Sequence, residues 1–85
     1  MSVAAVPDTL TLDRLPIGHV ARIARLSGDP SRVIRLMELG LMQGETVEML
    51  GAAPLGDPLA IRIGGCRLAL RRHEAALIDV DAGSP

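Results

Sequence analysis

The last third of the chain alternates apolar and other residues with a period of two, which places every second side chain on one face of a β-strand. The pattern predicts three short strands, which begin near Leu59, at Cys66 and at Ala76. Gly64-Gly65 can adopt the positive φ angles of a two-residue hairpin turn between the first two strands. The side chains predicted to face inward are Leu59, Ile61, Ile63, Cys66, Leu68, Leu70, Ala76, Ile78 and Val80. Because these strands cannot bury their apolar face alone, the first half of the chain must cover it.

A helix is predicted in the middle of the chain. Asp29 can accept hydrogen bonds from the first free backbone N–H groups of a helix, and Pro30 fits the first helical position. Gly40 suits the left-handed conformation that commonly ends a helix. The apolar residues between these signals point in more directions than one helical face can cover. Some of them should therefore be exposed or covered by a partner.

Three further segments are predicted to be extended. Residues 9–18 contain a proline that prevents a regular helix, and they form a short lead-in that ends in a turn. Residues 19–26 have apolar residues spaced by three, which suits either a helix or a bulged strand. The shortness of that segment and the glycines beside it favour a strand. Residues 46–52 form another strand, with Val47 and Met49 on one face.

At 85 residues the chain has room for one small domain, which we place at residues 9–81 between flexible ends at residues 1–8 and 82–85. No apolar run reaches the about 18 residues of a membrane-spanning helix, and no signal-peptide pattern is present. We therefore expect a cytoplasmic protein without direct membrane insertion. The single cysteine, Cys66, rules out an internal disulfide and is expected to be a buried, unreactive thiol.

Two residue classes are missing, and each absence excludes a kind of function. Without Phe, Trp or Tyr, the chain lacks the stacking platforms of single-strand nucleic-acid binders and the aromatic grooves that hold proline-rich peptides. All nine cationic side chains are arginine, which excludes a lysine-bearing phosphate loop and Schiff-base chemistry. With a formal net charge of −1, no nucleic-acid partner is expected. Candidate nucleophiles are terminal, in turns or inward-facing, so we predict that the chain is not an enzyme.

The helix and the segments after it carry more apolar residues than an inward-facing pattern can use. The surplus consists of Leu36, Met37, Leu41, Met42 and Leu50. They are either ordinary core with scattered exposed side chains or a hydrophobic docking patch for a partner protein, and the sequence favours neither interpretation.

Arg62, Arg67 and Arg71 fall on the outward side of the predicted hairpin and the segment after it, with Arg72 beside them. A solvated strand face is the favoured interpretation, and a binding patch is the alternative. As a binding patch, the group would suit an acidic protein surface better than nucleic acid, because acidic residues nearly balance the arginines across the chain.

The imidazole groups of His19 and His73 are the candidates for holding a metal ion. Neither histidine belongs to a spaced ligand motif, so no intrinsic metal site and no cofactor are predicted. An adventitious divalent ion such as zinc, shared between molecules through either histidine and a carboxylate such as Glu74, is the alternative.

Three stretches of the chain, RLMELGLMQGETVEML, APLGDPLAIRIGG and CRLALRRHEAALIDV, resemble the FeoA family. These are small cytosolic proteins associated with the bacterial ferrous iron transporter FeoB. The resemblance runs from about Leu10 to Val80 and rests on the order and spacing of all three stretches. Gln43 departs from the family pattern, which usually has proline before the glycine.

The resemblance implies an SH3-like small β-barrel of about five strands, with the helix inserted after the first, and a strand at residues 19–26. It also implies a cytosolic accessory protein that docks on the cytoplasmic part of FeoB and modulates iron uptake. Independently of the resemblance, a homodimer is a further option. A metal-responsive module related to the C-terminal domain of iron-dependent repressors is the alternative. A nucleic-acid-binding module of the same fold comes third.

Overall fold

The computed structural model describes residues 9–82. In this range six strands form one antiparallel sheet, in the order β1-β6-β2-β3-β4-β5. The strands are β1 (Thr9–Thr11), β2 (Val20–Leu26), β3 (Thr46–Ala52), β4 (Leu59–Ile63), β5 (Cys66–Leu70) and β6 (Ile78–Asp81). Two α-helices, α1 (Pro30–Glu38) and α2 (Arg72–Ala75), and two 3₁₀ turns, Leu12–Arg14 and Pro54–Gly56, connect them. The prediction of a mainly β chain with one or two short helices is confirmed.

The predicted flexible ends, residues 1–8 and 82–85, lie outside the described residues except for Ala82. Between residues 9 and 82, neither α-helix is long and apolar enough to cross a membrane. One hydrophobic core, drawn from the strands, α1 and the connecting segments, runs through this range.

Helix α1 begins and ends where the sequence predicts. The Asp29 carboxylate accepts a hydrogen bond from the backbone N–H of Arg32, at 2.9 Å, and Pro30 occupies the first helical position. Gly40 has a φ of +98°, the left-handed conformation expected just after a helix. Leu36 is the one residue within this helix that is fully buried, so the helix contacts the sheet along a narrow line.

Strand β2 confirms the strand interpretation of residues 19–26 and explains their spacing. Its register against β6 shifts between Ile23 and Arg25, so one extra residue lies in β2 at that point. Such a bulge shifts the alternation by one residue. Ile23 in the core and Leu26 packed against it can therefore face the same side although they are three positions apart.

The sheet has six strands rather than about five, because the lead-in pairs with the last strand. Leu10 lies opposite Val80 in this pairing, and α1 therefore follows the second strand instead of the first. The segment before β6 also differs from the prediction. Glu74 accepts a hydrogen bond from the backbone N–H of Arg71 at 3.1 Å and caps a helical turn, α2. Ala76 is consequently exposed at the end of that turn instead of facing inward from a strand.

Most of the predicted inward positions are buried, and apart from Ala76 the exceptions lie on β5. Leu68 is only partly buried and Cys66 is exposed, so the prediction that this thiol is buried is wrong. Cys66 directly follows the hairpin turn and lies on a strand that has β4 as its one neighbour in the described sheet. Because no described strand lies beyond β5, the pattern that buries side chains on β4 leaves Cys66 and Leu68 accessible on β5.

Candidate docking surface

The predicted apolar docking set divides into a buried part and an exposed part. Leu36 and Leu41 are 1% and 0% exposed, so these two residues belong to the core and their assignment to a docking patch was wrong. Leu36 is the residue of α1 that faces the sheet, and Leu41 follows the glycine that turns the chain back toward it. Leu50 is half-buried and does not line either groove described below.

Met37 and Met42 are exposed, at 44% and 43%, and each lines an open groove. The first groove lies between the end of β2 and α1 and is lined by Arg25, Leu26, Val33, Met37 and Gln43. The second lies between the connector after α1 and the hairpin turn and is lined by Leu39, Gly40, Met42, Glu45, Ile63, Gly64 and Cys66. Ile34 and Leu39 add further exposed apolar area. We call Ile34, Met37, Leu39 and Met42 the α1 surface.

The arginines of the hairpin lie on the opposite side of the sheet from the core. Arg62 on β4 and Arg67 on β5 are directly opposite each other, and both side chains are exposed. The Arg62 guanidinium forms an ion pair with Glu48 of β3, at 3.5 Å. Arg71 lies past the end of β5 as the cap of α2, so it does not continue the row formed by the other two.

Arg72 has a structural role that the sequence did not indicate. Its side chain donates hydrogen bonds to the backbone carbonyls of Gly56, in the turn before β4, and of Asp13, in the first 3₁₀ turn. Its backbone N–H donates to the Asp57 carboxylate at 3.1 Å. Arg72 thus ties together three segments that are distant in sequence, and it is not part of an arginine patch.

The turn that Arg72 holds carries a residue that the sequence reasoning missed. Leu55 is fully exposed and has a φ of +75°, a left-handed conformation that is uncommon for residues other than glycine. The two prolines and Gly56-Asp57 in this stretch predicted a turn, but no sequence signal indicated that its leucine would point into solvent. Leu55 is therefore a further candidate contact for a partner.

The metal candidates are dispersed. His19 and His73 are both exposed, and residues 9–82 contain no group of three or more His, Cys, Asp or Glu side chains that could hold a metal ion. The Glu74 carboxylate is already used by the backbone N–H of Arg71 and by the Arg35 guanidinium, the latter at 3.2 Å. His73 and Glu74 line a cleft whose rim also holds Arg32 and Arg35, which disfavours a cation there.

The electrostatics of Glu74 reflect these contacts. Burial by itself raises the pKa of this carboxyl group, but the hydrogen bonds from Arg71 and Arg35, together with the Arg35 charge, lower it below its usual value. The pKa of Asp29 is also lowered, first by the hydrogen bond from the backbone of Arg32 and then by the Ser31 hydroxyl. Both carboxylates stabilise helical turns rather than serving as ligands.

Comparison with known proteins identifies the family. A FeoA domain family model matches residues 10–82. Over 72 residues the chain is 36% identical to a protein of Porphyromonas gingivalis named as an Fe(2+) transport protein A/Fe(2+) transporter FeoB fusion protein. That match covers 85% of this chain and 8% of the relative, so the chain spans a small part of the curated relative's length.

Two solved structures of related proteins are similar to this chain in both fold and sequence. The solution structure of iron(II) transport protein A from Clostridium thermocellum has a TM-score of 0.81 and 40% identity, covering 86% of this chain and 45% of that chain. A second relative is FeoA from Stenotrophomonas maltophilia, a prokaryotic SH3 domain protein whose crystal structure was solved in complex with zinc. It has a TM-score of 0.75 and 36% identity, covering 86% of this chain and 91% of that chain.

A manganese-dependent transcriptional repressor shares the fold at a TM-score of 0.80, over 93% of this chain and 44% of the repressor chain. At 19% identity, this likeness is one of fold alone. The sheet and two short helices therefore form an SH3-like domain, and the chain belongs to the FeoA family.

Proposed function

We propose that this chain is a non-catalytic cytoplasmic accessory protein of ferrous iron uptake that docks on the cytoplasmic part of a FeoB-type transporter. The observation that supports it most directly is the Porphyromonas gingivalis relative, named as a fusion of the iron transport protein A and FeoB. A covalent link keeps two modules at high effective concentration, which favours a contact between them. We propose the same contact for this chain.

The α1 surface is the proposed docking face. Its exposed side chains include two methionines, whose flexible thioethers adapt to an apolar partner surface. A standard interface buries about 800 Å² per partner. The chain has an accessible surface of 5291 Å², so such a contact would occupy roughly 15% of it. The α1 surface and the two grooves beside it provide an apolar centre for an interface of this kind.

Metal binding is not part of the proposed role. The transported ion is cargo of the transporter, and the described side chains of this chain offer isolated imidazoles rather than a ligand set. The zinc in the Stenotrophomonas maltophilia structure belongs to that protein. We propose that a divalent ion on His19 or His73 of this chain would be adventitious, and that a His73→Ala change leaves iron uptake unaltered.

The test is binding of the chain to the detergent-solubilised FeoB-type transporter of the same organism, with nucleotide present and absent. Met37→Asp and Met42→Asp place a charge on the α1 surface and are expected to weaken binding more than tenfold. Ile17→Asp is the matched control, because Ile17 is also exposed but precedes β2, at the opposite end of that strand from Leu26. This control should bind like the wild type. Failure of the wild type to bind in every nucleotide state would contradict the proposal.

The alternative of a metal-responsive repressor module has weaker support. The repressor likeness is of fold alone, and the described residues contain no cluster of metal ligands. The α-helices in the described range are the nine-residue α1 and the four-residue α2, and neither forms part of a helix-turn-helix pair. No observation on this chain favours the repressor role over docking, so the alternative stays a prediction.

A further inference from the structure

Strand β5 has an open edge. In the described sheet it pairs with β4 alone, and the cross-strand pairs include Ile63 with Cys66 and Ile61 with Leu68. A two-residue turn makes the pair next to it a hydrogen-bonded one, and the hydrogen-bonded pairs then alternate along the hairpin. The backbone N–H and C=O groups of Arg67 and Ala69 therefore point away from β4. No further hydrogen bond joins either residue to another part of residues 9–82.

The inner side of this edge is apolar and incompletely covered. Leu68 is only partly buried and Cys66 is exposed, although both lie on the side of β5 that faces the core. The groove lined by Leu39, Met42 and Ile63 continues to Cys66. One more strand, placed about 4.8 Å from β5, would cover this inner side.

The outer side of the edge is positively charged. Arg62 and Arg67 are directly opposite each other, and like charges in that arrangement destabilise a sheet. Glu48 compensates Arg62, whereas the structure gives Arg67 no ion pair within residues 9–82. A carboxylate supplied by an added strand beside Arg67 would give the row Glu48–Arg62–Arg67 a negative charge at both ends, so that each arginine has one carboxylate beside it.

We propose that the β5 edge binds an extended segment of the transporter by strand addition. The segment would carry a carboxylate on the outer side, next to Arg67, and an aliphatic side chain on the inner side, next to Leu68. Main-chain hydrogen bonds to Arg67 and Ala69 would supply affinity, and the side-chain contacts would supply specificity. This inference rests on the proposed function and specifies what kind of segment the transporter contributes.

A second copy of this chain is a poorer occupant of the same edge. Antiparallel pairing of two β5 strands about Leu68 would set Arg67 of each copy opposite Ala69 of the other, which satisfies the backbone. It would also bring two Arg62–Arg67 pairs onto one face, with one Glu48 for each pair. The charge arrangement therefore favours an acidic segment over self-association.

Hydrogen exchange on the wild-type chain tests the proposal without a mutation. The chain is exchanged alone and with the detergent-solubilised transporter, then quenched, and its amides are read by NMR. The amides of Arg67 and Ala69 are expected to exchange more than tenfold more slowly in the complex, and the Cys66 thiol to react more slowly with a thiol reagent. Slow exchange of these amides already in the dilute free chain would overturn the proposal, because the chain itself would then cover the edge.

A proline variant tests the same edge by removing one donor. Ala69→Pro deletes an N–H that points away from β4, and proline is tolerated on edge strands in this orientation. Ala69→Val keeps the N–H and serves as the matched control. Once both variants are shown to be folded, Ala69→Pro should bind the transporter more than tenfold more weakly than the wild type, and Ala69→Val within about twofold of it. Equal binding by Ala69→Pro and the wild type would overturn the inference.

The remaining outcomes separate this inference from the proposed function. Binding of the transporter without protection of Arg67 and Ala69 overturns strand addition but leaves docking intact. Absence of binding in every nucleotide state overturns both. Protection that grows with the concentration of this chain, without the transporter, identifies a second copy as the occupant and overturns the inference.

Discussion

Strands β4 and β5 form one hairpin, have the same length and alternate in the same way, yet they differ in how deeply their side chains are buried. On β4 the inward residues Leu59, Ile61 and Ile63 are at most 5% exposed. On β5 burial increases along the strand, from an exposed Cys66 through a partly buried Leu68 to the buried Leu70. The difference arises because β4 lies between two strands, whereas β5 has one neighbour in the described sheet. Alternation therefore predicts which side a residue faces, and neighbouring elements determine its burial.

The buried end of β5 also has a tertiary cause. After Leu70 the chain turns into α2, which contacts the first 3₁₀ turn and buries Ala75 completely. Arg72, at the start of α2, binds that 3₁₀ turn and the turn before β4. Leu70 belongs to the same core cluster as Leu12 and Ala75, whereas Cys66 at the other end of the strand is exposed. The accessible part of the inner side of β5 is thus confined to the half of the strand next to the hairpin turn.

The largest expected effect comes from truncating the two cross-strand partners Ile61 and Leu68. Ile61→Ala should lower the free energy of unfolding by about 3 kcal/mol, because it leaves a cavity in a closed core. Leu68→Ala should cost about 1 kcal/mol, because part of that side chain is already in water. Urea denaturation of the isolated chain measures both. Equal losses of unfolding free energy would contradict the difference in burial between β4 and β5, and would mean that Leu68 is covered in solution.

A smaller effect is expected at the turn that joins the two strands. Gly65 has a φ of +83°, and a Cβ added there would meet no atom within 4 Å, so Gly65→Ala tests conformation alone. Gly65→Ala should lower the free energy of unfolding by about 1–2 kcal/mol. Gly51→Ala in β3 is the matched control, because Gly51 also has free space but not a left-handed φ. The control should change stability by less than about 1 kcal/mol, in the stabilising direction.

The difference in stability between Gly65→Ala and Gly51→Ala measures how far β5 depends on its turn. An edge strand with one neighbour depends on its turn for register more than a central strand does. A Gly65→Ala variant as stable as Gly51→Ala, measured by thermal unfolding, would show that pairing with β4 holds β5 without help from the turn.

The smallest expected effect concerns Glu74, which caps α2, the helical turn that follows β5. Because the folded state lowers the pKa of this carboxyl group, ionised Glu74 stabilises the fold above its usual value of 4.5, and this contribution is lost as the pH falls through the lower folded pKa. Glu74→Gln keeps an acceptor for Arg71 but removes the charge that pairs with Arg35. It should cost less than about 1 kcal/mol at pH 7, as expected for a partly exposed ion pair.

Stability measured against pH provides the check for Glu74. The difference between the wild type and Glu74→Gln should be constant from pH 7 down to about 5 and should shrink below pH 4.5. A difference that stays constant down to about pH 2 would mean that the carboxylate charge does not contribute and that shape alone explains the cost.

Local signals predicted much of the fold. Asp29, Pro30 and Gly40 delimit α1 because capping and left-handed φ angles depend on one or two residues at a time. The hairpin turn at Gly64-Gly65 was predicted for the same reason. The bulge in β2 was less certain, since residues spaced by three fit two structures, and the strand became clear only from the likeness to a known family. Its physical signature is the register shift beside β6.

The docking surface was less predictable, because exposure depends on what packs against a side chain. Leu36 and Met37 are adjacent and equally apolar, yet one is in the core and the other lines a groove. A nine-residue helix with apolar residues on several sides does not reveal which side meets the sheet. Leu55 was missed because the exposure of a turn residue depends on the rest of the fold, and the turn beside it is contacted by Arg72, which is distant in sequence.

The sequence by itself determined the positions of α1 and the hairpin, the side of the sheet that the residues of β4 and β5 face, and the family. These properties depend on backbone conformation and on periodicity, which are encoded by neighbouring residues. Only the tertiary structure decided that Cys66 is exposed, that Leu41 is buried and that β5 ends the described sheet with an open edge. Those outcomes depend on which distant segments cover a side chain, and no local pattern along the chain specifies that.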